Sequence, residues 1–191
     1  MSEQSAYLTF DQLVELVPPH TLIAVRRMMA DHRDAIFAAP ASAHNHQAWP
    51  GGYADHVTEI ANIALVQYAA LSALRPLPFT VGDVILVVLL HRFDRVFRYG
   101  PDKHYLAAGT VKQRHGLRDM LIRRYKISLS AQHVNALRYA EGEHDEHRRD
   151  RRAASPLAAF LQSSTLISSR VWPQFPAAAN DLWASGRQHA A

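Results

Sequence analysis

Two histidines in very different stretches are the first residues of this chain that could do chemistry together. His56 closes the stretch His44-Asn45-His46-Gln47-Ala48-Trp49-Pro50-Gly51-Gly52-Tyr53-Ala54-Asp55, and His91 opens His91-Arg92-Phe93-Asp94 after the apolar run Val84–Leu90. Imidazoles together with a carboxylate hold a divalent cation, which polarises a phosphate oxygen and activates water. Here a guanidinium, Arg92, follows the second histidine, and the nearest carboxylate after it is Asp94. Arg92 repels a metal ion but can pair with a phosphate bidentately. The same residues therefore allow a rearranged metal set of His56, His91 and Asp94, or an anion pocket with no activated water.

The elements that must position these side chains are readable from pattern. Thr9 and Gln12 form a capping box that opens a short helix to about Val17, and Pro18-Pro19 ends it. Thr21 to Ala38 reads as one helix with Leu22, Val25, Met29 and Ile36 inward. Two prolines and two glycines make 40–52 a loop, with Gly51-Gly52 as the sharp turn that aims the next helix. That helix runs from Tyr53 to about Leu74, with His56, Ile60, Ile63, Ala64, Gln67 and Leu71 at helical spacing. Thr80 and Asp83 cap the following segment, whose Val84–Leu90 run is apolar enough for a buried strand. The lack of Gly or Pro through Val96 or Tyr99 favours a single helix, on which His91 and Asp94 share a face.

Loop 100–109 follows, then helices from Arg114 to Lys126 and from Ala131 to Ala140, the latter with Ser130 as N-cap. The last helix runs from Pro156 to about Val171. With no internal repeat and no alternation of strands and helices, the expectation is an all-α, compact single-domain helical bundle over residues 1–176, with a tail at 177–191.

Composition narrows the class. The chain has 191 residues, 48% hydrophobic and 20% charged, enough for one packed core. It contains no cysteine, so thiolate ligands, thiol nucleophiles and disulfides are excluded. The longest uninterrupted apolar run, Val84–Leu90, is far short of the ~18–20 residues a bilayer requires, so no membrane span is expected. The start, Ser2-Glu3-Gln4-Ser5, lacks a basic region followed by an apolar one, which makes the cytoplasm the expected compartment. A net charge of +4 favours anionic partners without singling out nucleic acid.

Taken together, Asn45-His46 through Gly51-Gly52 and His56, the apolar helix ending Leu89-Leu90-His91, and Pro156-Leu157-Ala158-Ala159-Phe160 with Ser168-Ser169-Arg170 resemble the HD superfamily of metal-dependent phosphohydrolases, an all-helical fold. The resemblance covers about residues 40–170. The last piece, preceded by Glu141-Gly142-Glu143, looks like a phage-associated bacterial branch of that superfamily. It implies one divalent metal held by a His, a His-Asp pair and a distant Asp. The first His falls on His56 and the second on His91; the Asp of the pair falls on Arg92 and the final Asp on Thr165, with Gln162 where that branch often has a His. Both carboxylates are replaced, which removes the negative charge a hard cation needs. His44, His46 and Asp94 are the neighbours that could complete a zinc site instead.

Other clusters have plainer readings. His144 and His147 lie among Glu141, Glu143, Asp145 and Glu146, and Arg148, Arg149, Arg151 and Arg152 follow; mutual pairing on a solvated surface accounts for them. Asp94 has Arg92, Arg95 and Arg98 as potential salt-bridge partners. Arg123-Arg124-Tyr125-Lys126, with Lys112 and Arg114 upstream, is a basic patch in which only Tyr125 and Tyr139 could stack on bases. Ser163, Ser164 and Thr165 have no His-Asp pair behind them as nucleophiles. Trp49, Trp172 and Trp183 read as core or interface anchors.

The expectation is an HD-type protein whose metal site has degenerated, with a pocket of His56, His91, Arg92, Asp94 and Thr165 that binds a nucleotide, another phosphate-bearing small molecule or a protein partner, and no cofactor. The alternatives are an active phosphohydrolase with zinc, manganese or magnesium on His56, His91 and Asp94, and a phage or mobile-element interaction protein with a vestigial pocket.

Overall fold

Capping residues at Thr9, Thr80 and Ser130 start three of the helices, each through a complete capping box with Gln12, Asp83 and His133 respectively. The computed structural model describes residues 7–43, 46–99, 111–143, 150 and 152–171, with side chains omitted at 111–114. Among these residues the protein is all-α, and the helices in chain order are α1 (Phe10–Val14), α2 (Pro19–Asp31), α3 (Arg33–Ala38), α4 (Gly52–Leu74), α5 (Val81–Leu90), α6 (Asp94–Tyr99), α7 (Val111–Arg124), α8 (Ala131–Arg138) and α9 (Pro156–Val171). The segment Val84–Leu90 is helical, not a strand, and is buried on every side, as a helix this apolar must be.

α5 is the central post of the bundle: α1, α4, α8 and α9 pack around it. α9 lies antiparallel to α4, since Ser168 meets Glu59 and Ser164 meets Gln67. The α4–α5–α9 core is closed by Ile60, Ala64, Leu86, Leu89, Leu157 and Leu161, all fully buried.

Two expected continuous helices are broken. The helix from Thr21 to Ala38 starts earlier, at Pro19, and divides at His32, whose φ of −115° and ψ of 15° depart from helical values. Its ring is held edge-on by Phe93, Phe97 and Tyr125 at centroid distances of 5.8, 5.0 and 5.8 Å, and tertiary packing there outweighs helical continuity. The second break separates α5 from α6 at His91-Arg92-Phe93, where backbone bonds change from His91 N–H to Val87 O to the tighter Phe93 N–H to Leu90 O and Arg95 N–H to Arg92 O.

α4 is 23 residues long and, by length and composition alone, apolar enough to cross a membrane. A count of uninterrupted apolar runs passes over it because Asp55, His56 and Glu59 interrupt the sequence; all three are buried in the bundle. The far half of α4 is different, with Val66, Ala69, Ala70, Leu71, Ala73 and Leu74 exposed.

Candidate functional site

The loop before α4 is built to aim His56. Gly51 adopts a left-handed φ of 78° at the N-cap, and a Cβ on Gly52 would lie 2.1 Å from the carbonyl oxygen of Gln47. The same carbonyl accepts from Ala41 N–H at 2.9 Å, and Trp49 Nε1 donates to Asp55 Oδ2 at 2.7 Å, tying the loop to the helix start. Trp49 is thus a loop anchor. Within this turn Gln47 Oε1 accepts from His56 Nδ1 at 2.8 Å, leaving Nε2 of a neutral ring with its lone pair and, among the described residues, no hydrogen-bond partner.

His91 ends α5, and its Nδ1 donates to Val88 O at 2.6 Å, so here too Nε2 is the bare nitrogen, buried and without a partner. The two rings stand 6.0 Å apart between centroids, and His46 stands 5.7 Å from His56 on its other side. The two histidines singled out by sequence therefore do meet.

Beyond His91 the turn and α6 form one wall of a polar cavity of about 70 Å³, lined by His91, Arg92, Asp94, Arg95, Arg98, Tyr99, His115 and Glu141. Three guanidinium groups face two carboxylates. Arg92 Nη1 pairs with Glu141 Oε1 at 3.0 Å, while the Nε atoms of Arg92 and Arg98 are buried donors with no acceptor among the described residues. Asp94 is buried in the same wall and acts electrostatically on Arg95 and Tyr53.

Thr165 does not join this group through any described bond: its hydroxyl donates to Leu161 O of its own helix at 2.9 Å. The residue that α9 does bring to the histidines is Ser168. It accepts from His46 Nε2 at 3.1 Å and donates to Glu59 Oε1 at 2.5 Å. Ser163 and Ser164 likewise bond the carbonyl of Phe160, and Ser164 also bonds Gln67, so α9 hydroxyls serve packing.

Burial sets the protonation. It is the largest cause of the low His91 pKa, pushed down to about 3, with Arg92 next; Val88 O opposes the shift. His56 is held well below its ordinary value by burial, then by Arg95, His91, Arg92 and His46. Burial also brings Arg95 down to about 9, assisted by Arg92. His115 is lowered by burial and by Arg118. Both central imidazoles are thus neutral near pH 7, beside a set of guanidinium groups that crowd one another.

The divalent metal that the resemblance implies finds a poor donor set. Two imidazole lone pairs are present, but among the described residues no group of three His, Asp or Glu side chains is placed to hold a metal ion, and the nearby Arg92 and Arg95 charges oppose a cation. The sequence reading missed Glu59, Tyr99 and His115 as contributors, placed Glu141 in a charged surface stretch, and named Arg95 and Arg98 only as salt-bridge partners of Asp94. The spacing Arg92, Arg95, Arg98 was a usable signal for the arginines; His115 comes from α7, and nothing local marks it. Of the other clusters, the Tyr125 ring is half-buried with His32 edge-on and Arg124 over it, and Tyr139 is buried. His44, Asn45, the side chains of Lys112 and Arg114, residues 144–149, Arg151, Trp172 and Trp183 lie outside the described residues. No family model, curated protein or solved structure matches the chain.

Proposed function

We propose that this chain is a phosphate-binding protein on an HD-type helical scaffold, holding an anion at the Arg92–Arg95–Arg98 wall, and that it does not hydrolyse its ligand. The observation that carries the reading is the pair of buried Nε–H donors, on Arg92 and Arg98, that lack acceptors among the described residues, on side chains lining a cavity with three guanidinium groups against two carboxylates. A buried donor left unpaired costs roughly 1–3 kcal/mol, more for a charged group, and an oxyanion supplies the acceptors. The low Arg95 pKa, caused first by burial and then by Arg92, supports the same conclusion, because an anion beside a buried guanidinium offsets both. The scaffold reading is supported by the meeting of His56 and His91 from the ends of α4 and α5 that the resemblance pairs.

Calorimetric titration with pyrophosphate tests this. Binding is expected, and Arg92→Gln should weaken it on the order of tenfold or more, the loss of one charge-assisted contact. Absence of binding by the folded wild-type chain would overturn the proposal. So would stoichiometric zinc, manganese or magnesium in tag-free protein purified without chelator, if Asp94→Ala abolished both the metal and a phosphatase activity.

A further inference from the structure

Among the described residues, the side chains lining this cavity include an acceptor without a donor as well as donors without acceptors. His91 Nδ1 is committed to Val88 O, so the bare Nε2 of this cavity residue offers only a lone pair. An anion made of acceptors alone supplies acceptors for Arg92 and Arg98 but no donor for that lone pair. An oxyanion that carries an O–H satisfies both sides. Resting on the phosphate-binding reading above, the geometry points to a ligand that presents a phosphate oxyanion together with a hydroxyl donor, which His91 Nε2 accepts. Two sources have this chemistry: the hydrogenphosphate ion itself, or a phosphomonoester with a neighbouring hydroxyl.

The bond from Nδ1–H to Val88 O at 2.6 Å fixes the tautomer in which Nε2 carries the lone pair, so the ring accepts at that nitrogen. The carboxylates of Asp94 and Glu141 stand in the same lining as acceptors, Glu141 already held by Arg92. Discrimination against a ligand that leaves a buried polar group unpaired is steep when the site was built for the bond.

Sulfate and hydrogenphosphate at about pH 8 have the same shape and nearly the same charge, and differ in the one O–H. Titrating the full chain with each at matched ionic strength should give hydrogenphosphate at least about tenfold tighter binding. His91→Phe, which keeps a ring and removes Nε2, should bring the ratio close to one while both anions still bind. Equal affinities in the wild type would overturn this inference and leave the phosphate-binding reading standing; no binding of either anion, with none of pyrophosphate, would overturn both. A ratio unchanged in folded His91→Phe would overturn the role of His91, and if that variant does not fold the wild-type ratio decides alone. n-Propyl phosphate and glycerol 3-phosphate separate the sources, because phosphomonoesters lose their last proton near 6. Preference for glycerol 3-phosphate over n-propyl phosphate supports the hydroxyl-bearing ester, and weak binding of both beside tight hydrogenphosphate supports the free ion.

Discussion

Arg92 is where residue type and position said most. A guanidinium after His91 reads from the sequence as anion pairing, and the residue does line a cavity with Arg95 and Arg98. Glu59, Tyr53 and His115 were not legible in this way, since what makes them notable is burial beside groups from other helices. The buried imidazoles also set an acid limit on stability. The folded pKa of His91, about 3, lies below its unfolded value near 6.5, so on acidification the unfolded chain takes up the proton first. Stability is complete above about pH 6.5 and falls as the pH drops towards 3, at roughly 1.4 kcal/mol per pH unit for each such histidine; His56 shifts in the same direction. Urea midpoints measured from pH 7 to about pH 4 should decline in the wild type and decline less steeply in His91→Phe. Parallel curves would show that His91 does not titrate differently in the two states.

At the scale of elements, helix starts were easier to read than helix breaks. Thr9, Thr80 and Ser130 act through their own neighbours three residues on, which a sequence displays directly. The breaks at His32 and at His91–Phe93 depend on rings arriving from elsewhere in the chain, and no local breaker announces them. One contact joins two helix starts. Asp83, the third helical residue of α5, takes the Thr80 N–H on Oδ2 and the His133 Nε2–H on Oδ1 at 2.8 Å, while His133 Nδ1 takes the Ser130 N–H that starts α8. The two caps should therefore fail together. Asp83→Ala and His133→Ala are each expected to cost about 1–3 kcal/mol, and the double mutant should cost less than their sum by about 0.5–2 kcal/mol. Additivity in a denaturant double-mutant cycle would mean that the caps are independent.

For the whole molecule, the all-helical class and the order of its elements followed from periodicity, while the exposed apolar half of α4 and the size of the cavity emerge only from packing. The approach to α9 is fixed by two side chains from the preceding part of the chain. Glu143 Oε1 accepts from both Ala153 N–H and Ala154 N–H at 2.7 Å, and Asn135 bonds Ala153 O and Ser155 N–H, so the chain re-enters the bundle beside the point where it left. Glu143→Ala should lower stability by about 1.5–3 kcal/mol in thermal or urea unfolding, as the loss of charge-assisted bonds requires. A single carboxylate thus works as a clasp between α8 and α9, and the way the chain enters its last helix is set by a residue ten positions earlier.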